Sequence, residues 1–192
     1  VIRTTVGYAG GRTPHPDYQH IGDHSETVRV EFDPTRISYQ ELLEVFWMGH
    51  DPASGSFMRQ YRNAAFTLNA DQQRQAEESR DRVAEKTGRE VRTAVEPAGT
   101  FYPAEDYHQK YLLRGAGDIY REIRALYPSD EALVASTAAA RINGYLGCNG
   151  EPEDLEREIG RLGLSPGVQS QLIERLSRTC AEFKGVPCAV QR

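Results

Sequence analysis

The hydrophobic pattern changes period partway along the chain, and this change limits the possible folds more than any other feature. Through residue 95, stretches of strand spacing alternate with stretches of helix spacing; from Ala104 onward only helical spacing remains. Residues 1–9 read as a strand that ends at Gly10-Gly11, before a polar loop with Pro14 and Pro16. Val28, Val30 and Phe32 alternate with Arg29 and Glu31, which predicts a half-buried strand stopped by Asp33-Pro34. Ser38-Tyr39-Gln40-Glu41 has the residue types and spacing of a capping box. A helix is therefore predicted from there to about His50, with Tyr39, Leu42, Leu43, Phe46 and Trp47 as its apolar stripe. A strand over 62–68, a polar helix over 71–86 ended by Gly88, and a strand over 90–95 follow. Short connections between alternating elements predict an α+β two-layer sandwich.

The second half reads as helices. Tyr107, Tyr111 and Leu112 give one stripe, and Ile119, Tyr120, Ile123, Leu126 and Tyr127 another. Leu155, Ile159 and Leu162 mark a further helix, and Ser165-Pro166 opens the last one, through Val168, Leu172 and Leu176. The Gly-rich stretch 143–150 is the expected hinge. The division predicted is an α+β domain over 1–115 and a helical extension with a cysteine-bearing tail over 116–192.

Composition narrows the function. With 23 Lys+Arg against 28 Asp+Glu, the net charge of -5 supplies no basic excess for binding nucleic acid phosphates. No apolar run approaches the roughly 20 residues of a membrane span, so neither nucleic acid nor membrane is an expected partner. The three cysteines, Cys148, Cys180 and Cys188, compose no disulfide framework, which fits a reduced cytoplasmic protein with redox-active thiols. The chain opens on Val1 and runs directly into a strand, which reads as the interior of a longer protein.

Two tyrosines stand at strand ends. Tyr8 lies in Gly7-Tyr8-Ala9-Gly10-Gly11, where glycines permit close approach of a backbone or a ligand; Tyr61 lies in Arg59-Gln60-Tyr61-Arg62-Asn63. With a pKa near 10, tyrosine stays protonated at neutral pH and polarises a ligand oxygen without adding charge. The competing reading is packing, with both hydroxyls on backbone groups. His15, His20, Asp23 and His24 match no metal-ligand spacing and read as a solvated polar loop, and no metal is expected. His50 and His108 fall at helix ends, where capping or packing is the default.

Val6-Gly-Tyr-Ala-Gly-Gly11, Asp17-Tyr18, Ile37-Ser-Tyr-Gln-Glu-Leu-Leu43, Val45-Phe46-Trp47, His50-Asp-Pro52, Gln60-Tyr-Arg62, Phe101-Tyr102 and Ala104-Glu-Asp-Tyr-His-Gln109 occur in that order. This ordered set, over about residues 1–112, resembles peptide methionine sulfoxide reductases of the A type. The resemblance implies an α+β, ferredoxin-like reductase fold built on a mixed sheet. It implies reduction of methionine-S-sulfoxide, free or in oxidised proteins, with no bound cofactor and a thioredoxin-like reductant as partner. A thiolate attacks the sulfoxide sulfur and another thiol resolves the sulfenic acid.

By the same resemblance, Tyr8 and Tyr61 bind the sulfoxide oxygen. The family's nucleophilic cysteine lies in a Gly-Cys-Phe-Trp motif before the segment matching Val1, so it is expected upstream of Val1. The family's proton-donating glutamate, two residues after Asp-Tyr, is replaced here by His20; either His20 or Glu26 takes the acid role. Ser56 stands where the family often has an aspartate. Cys180, Cys188 or Cys148 is the expected resolving thiol, and Asp106 and His108 the groups orienting the substrate pocket. Two other readings stay open: a cysteine-less relative that binds methionine or its sulfoxide without catalysis, and an interaction protein whose partner surface is the helices over 117–180.

Overall fold

A computed structural model describes residues 1–181. They form two compact units, one of residues 6–29 and 33–105, the other of residues 1–5, 30–32 and 106–181. In chain order the first elements are β1 (Arg3–Ala9), β2 (Ser25–Glu31), α1 (Tyr39–Met48), β3 (Ala64–Thr67), α2 (Ala70–Thr87), β4 (Ala94–Pro97) and β5 (Tyr102–Pro103). The fold is α+β, as the alternating periods predict.

Hydrogen bonding sorts the strands into two small sheets rather than one. One has the order β2-β1-β5; the other is the pair β3-β4. β1 and β5 are antiparallel, with Gly7 opposite Pro103 and Tyr8 opposite Tyr102. β3 and β4 are parallel, with Ala64 opposite Ala94, and α2 is the crossover such a pair requires. One backbone bond links the ends of the sheets, Gly10 N–H to Ala98 O at 3.3 Å, while Ala98 N–H extends the β3-β4 pairing to Thr67 O at 2.9 Å. β4 starts later than the pattern predicts because Arg92 and Thr93 give their N–H groups to Pro52 O, not to a strand. β2 is an edge strand, and Val28, predicted to face a core, is 57% exposed.

The capping box forms as predicted: Ser38 N–H donates to Glu41 Oε2 at 2.7 Å, and Glu41 N–H to Ser38 Oγ at 3.2 Å. α1 buries Leu43 and Trp47 against Ala76 of α2, with Val83, Val91 and Val95 at the margin. The indole of Trp47 donates to Ser79 Oγ, so the one polar atom of that side chain is satisfied inside the contact. α2 ends where Gly88 adopts φ +64°, again as predicted.

The helical unit contains α3 (Tyr111–Arg114), α4 (Asp118–Leu126), α5 (Asp130–Ala135), α6 (Thr137–Leu146), α7 (Pro152–Glu158) and α8 (Pro166–Ala181). Each helix gives the core one fully buried aliphatic residue: Leu113, Ile123, Leu133, Ile142, Leu155 and Leu172. Each such burial is worth about 1.5–3 kcal/mol, which allows helices this short to persist. Ser165 caps α8 while its N–H and hydroxyl bind Glu122 at 2.8 and 2.5 Å. The expected hinge at 143–150 is not one. Residues 143–146 are the last turns of α6, Asn143 Oδ1 accepts from Leu113 N–H at 3.1 Å, and Tyr145 Oη donates to Glu158 at 2.7 Å.

Among the described residues no helix is long and apolar enough to cross a membrane. One buried cation stands out. Lys110, at φ +52° and 4% exposed, donates from Nζ to Thr4 O at 2.6 Å and Thr4 Oγ1 at 2.9 Å. Burial lowers its pKa from 10.5 to about 8. Below pH 8 the folded and unfolded chains are both protonated, and folding bears the full cost of burying the charge. Between pH 8 and 10.5 the unfolded chain holds more protons, so stability rises with pH. Urea unfolding across pH 7–10.5 should therefore show wild type gaining on Lys110→Met within that window; a constant difference would exclude it.

Candidate active site

Tyr8 reaches its place because β1 is stripped of side-chain bulk around it. A Cβ on Gly7 would lie 2.3 Å from Tyr102 O and 2.5 Å from the Phe101 ring. Only glycine lets β5 pair so closely that Tyr8 and Tyr102 stand opposite each other. Gly10, at φ +79°, passes over the Phe66 ring, where a Cβ would come within 2.5 Å. Tyr8 is 2% exposed, and its hydroxyl donates to Glu105 Oε2 at 2.7 Å. The other oxygen of Glu105 accepts the Tyr18 backbone N–H at 3.0 Å. One carboxylate thus holds both the tyrosine and the loop that carries Tyr18.

Tyr61 ends a single 3-10 turn, Arg59–Tyr61, just before β3. Arg59 fastens this turn: Nε donates to Asp23 O at 2.6 Å and NH2 to Gly10 O at 2.9 Å. The tyrosine-bearing turn is therefore tied to the glycine two residues beyond Tyr8. Ser25 Oγ donates to Arg59 O and accepts from Arg62 Nε, both at 2.9 Å. The remaining guanidinium nitrogens of Arg62 form a bidentate pair with Glu96 at 2.8 and 2.7 Å. That contact lowers the pKa of Glu96 and keeps it an acceptor at neutral pH.

The two candidate acids separate. Glu26 Oε1 accepts from Gln60 Nε2 at 2.8 Å, which sets the carboxylate beside the residue preceding Tyr61. His20 is exposed and turns to its own loop, with Nδ1 3.0 Å from Asp17 Oδ1. Hydrogen bonding to His20 lowers the Asp17 pKa.

The loop read as solvated is partly structural. His24 is fully buried: Nδ1 accepts from Gly11 N–H at 3.2 Å and Nε2 lies 2.8 Å from Thr13 O. The Gly11 N–H can only donate, so Nδ1 accepts and the ring is held between that amide and the Thr13 carbonyl. Asp23 accepts from Arg12 N–H, Thr13 N–H and Thr13 Oγ1. The Thr13 backbone bond, then its hydroxyl, then the Arg12 bond hold this carboxyl far below the usual range. His50 caps α1 from its side chain, 2.9 Å from Phe46 O and 2.8 Å from Thr93 Oγ1, and burial lowers its pKa.

Glu105 stands in the motif Ala104-Glu-Asp-Tyr-His-Gln109, and its bond to Tyr8 does not follow from spacing. Beside it in the motif are Asp106 and His108, the two residues the resemblance assigns to the pocket. Those two belong to the helical unit, in the 3-10 turn Asp106–His108, where Asp106 O accepts Gln109 N–H at 3.1 Å and His108 stacks on Tyr107. The cysteine expectations also change. Cys148 and Cys180 are joined in a disulfide, so in this state neither is a free resolving thiol. Thirty-two positions separate them, and no local pattern announces such a pairing. Cys188 lies outside the described residues.

Tyr8 with its Glu105 partner and the Tyr61 turn are thus fixed by guanidinium and backbone bonds on an α+β scaffold. Comparison with known proteins gives the family. The family described as peptide methionine sulfoxide reductase matches residues 1–140, and the chain belongs to that family. The peptide methionine sulfoxide reductase A5 of Oryza sativa subsp. japonica is 43% identical over 151 residues, covering 76% of this chain and 59% of the rice protein. The Drosophila melanogaster peptide methionine sulfoxide reductase is 38% identical over 168 residues, covering 86% of this chain and 67% of its own. The chain thus spans about three fifths of the length of the rice relative. Among solved structures, methionine sulfoxide reductase A of Corynebacterium diphtheriae superposes with TM-score 0.56 at 33% identity, over 59% of this chain and 64% of that one. Mxr1 of Saccharomyces cerevisiae in reduced form gives TM-score 0.56 at 27% identity, over 59% and 71%.

The close approach at Gly7 is testable. Gly7→Ala should destabilise by about 3 kcal/mol in urea unfolding, because its Cβ meets backbone oxygen and an aromatic ring. Gly88→Ala meets nothing within 4 Å and bears only the left-handed backbone cost of about 1 kcal/mol. Equal losses at the two sites would show that crowding at β1 is not what requires glycine.

Proposed function

We propose that this chain supplies the sulfoxide-binding groups for reduction of methionine-S-sulfoxide, free or protein-bound. The observation that carries the reading is the tie from Arg59 to Gly10 and Asp23, which gathers the Tyr61 turn onto the strand end bearing Tyr8. In the reaction a thiolate attacks the sulfoxide sulfur as the oxygen is protonated. The S–O bond breaks, the oxygen ends on the cysteine sulfur as a sulfenic acid, and a second thiol forms the disulfide and displaces that oxygen as water. Overall, two thiols become a disulfide and the sulfoxide becomes a thioether and water. Neutral phenol hydroxyls suit this chemistry because negative charge builds on the oxygen only as the S–O bond breaks. Tyr61 and Tyr8 donate to the sulfoxide oxygen, Tyr8 by transferring its hydroxyl from Glu105 to the ligand. Glu26 is the proton donor: its hydrogen bond to Gln60 puts a carboxyl at the Tyr61 turn, while His20 is engaged by Asp17. We place the reaction in a reducing, cytoplasmic setting, with electrons from a thioredoxin-like dithiol and no bound cofactor.

The test is reduction of a methionine-S-sulfoxide peptide by the natural full-length protein with dithiothreitol. Tyr61→Phe should lower kcat about 10²–10³-fold, the loss typical for one donor to a developing oxyanion. Glu26→Gln should lower kcat about 10²-fold, while His20→Gln stays within about threefold of wild type. The reverse order would move the acid role to His20. Saturable sulfoxide binding without turnover would instead identify the protein as a binding relative.

A further inference from the structure

We propose that Cys148 and Cys180 form a redox site that nothing in the family match assigns. It locks the last turn of α8 to the helical unit when oxidised and releases it to dithiol reductants. Both cysteines lie beyond residues 1–140, the stretch that matches the family as a whole.

The turn after α6 is built to present Cys148. Gly147 N–H binds Asn143 O and Gly144 O, Cys148 N–H binds Tyr145 O at 3.0 Å, and Asn149 N–H binds Gly144 O at 2.9 Å. Inside that net Cys148 holds φ +58°, a left-handed conformation that glycine adopts freely and side chains resist. A cysteine at a position that favours glycine, in a turn already rich in glycine, is there for its sulfur.

The partner is set by helix periodicity. Val168, Leu172 and Leu176 are buried at four-residue intervals on α8, and Cys180 continues the row one turn further, half-buried against the same core. The Cα atoms stand 5.4 Å apart, within the range a disulfide spans without backbone movement. The bond closes a loop that includes α7 and most of α8, so it limits the freedom of the unfolded chain as well as fixing the folded one. Neither cysteine is sealed in the core, so a reductant has access to the bond.

The chemistry balances with one co-reactant. A dithiol gives two electrons and two protons; the S–S bond breaks, two thiols form, and the dithiol becomes a disulfide. Oxidising conditions reverse it. The helical unit is therefore tightest under the conditions in which methionine sulfoxide accumulates.

Differential alkylation of the purified protein with peptide mapping tests this without any variant. After equilibration in oxidised glutathione buffer, Cys148 and Cys180 should be alkylated only after reduction, and a crosslinked peptide should join them. Dithiothreitol should then lower the Tm of the helical unit by about 5–10 °C and speed amide exchange in the last turn of α8. Cys148→Ser and Cys180→Ser should each match reduced wild type and lose their response to dithiothreitol. Two free thiols at these positions in oxidised buffer, or a bridge from either to Cys188, would overturn the assignment. So would cleavage of the bond with no change in Tm or exchange.

Discussion

Arg62 sits 16% exposed, with one face of its guanidinium on Ser25 and its outer nitrogens on Glu96, so a single side chain joins the start of β2, the turn before β3 and the strand β4. Everything proposed for the active site hangs from that junction. Ser25, held by Arg62, holds Arg59 O in turn, and Arg59 reaches Asp23 and Gly10. The fork geometry is what allows this: five donors in one plane satisfy a hydroxyl and a carboxylate together, which a lysine ammonium does not reproduce. Removing the carboxylate would leave the partly buried guanidinium short of its strongest partner, at a cost typical of broken charge-assisted bonds, about 1.5–3 kcal/mol.

The helical unit is stabilised differently. Its core is assembled from one to three apolar side chains of each helix, and all of these helices but α8 are too short to be stable alone. Its polar bonds fix register rather than supply energy: Glu122 on the Ser165 cap, Arg114 on Asp130, and Arg141 with Tyr145 on Glu158. A covalent tie between the end of α6 and the end of α8 therefore adds more here than it would in the α+β unit, where sheet bonding already spans distant segments.

What could be read from the sequence follows from how local the cause is. Capping boxes, helix-ending glycines and four-residue apolar rows act within one or two turns, and α1, α2 and α8 appear where those signals stand. β4 was misplaced because its first residues bond to Pro52, forty positions away in the pattern's blind range. His24 looked like a loop histidine because its partners, Gly11 and Thr13, are brought to it by the fold and not by spacing. Asn143 to Gly150 looked like a hinge for the same reason, since glycine content reports freedom in the unfolded chain and says nothing of the bonds that remove it. The site shows the same division: Tyr8 and Tyr61 stand out by residue type, whereas Glu105, 97 positions from Tyr8, becomes visible only in three dimensions.

The placement of Glu105 bears on how the proposed reaction would run. A phenol that donates to a carboxylate in the resting site is oriented but has its proton committed, so a ligand oxygen must compete for it. Competition of that kind favours the transition state over the ground state. A neutral sulfoxide oxygen is a weaker acceptor than Glu105, but an oxygen gaining negative charge as its bond to sulfur breaks becomes a comparable one. On the proposed reading Tyr8 would be drawn in as that charge develops, while the Tyr61 turn is held in place by Arg59. On this account Glu105 is a positioning residue whose strength as an acceptor would set the point along the reaction at which Tyr8 transfers.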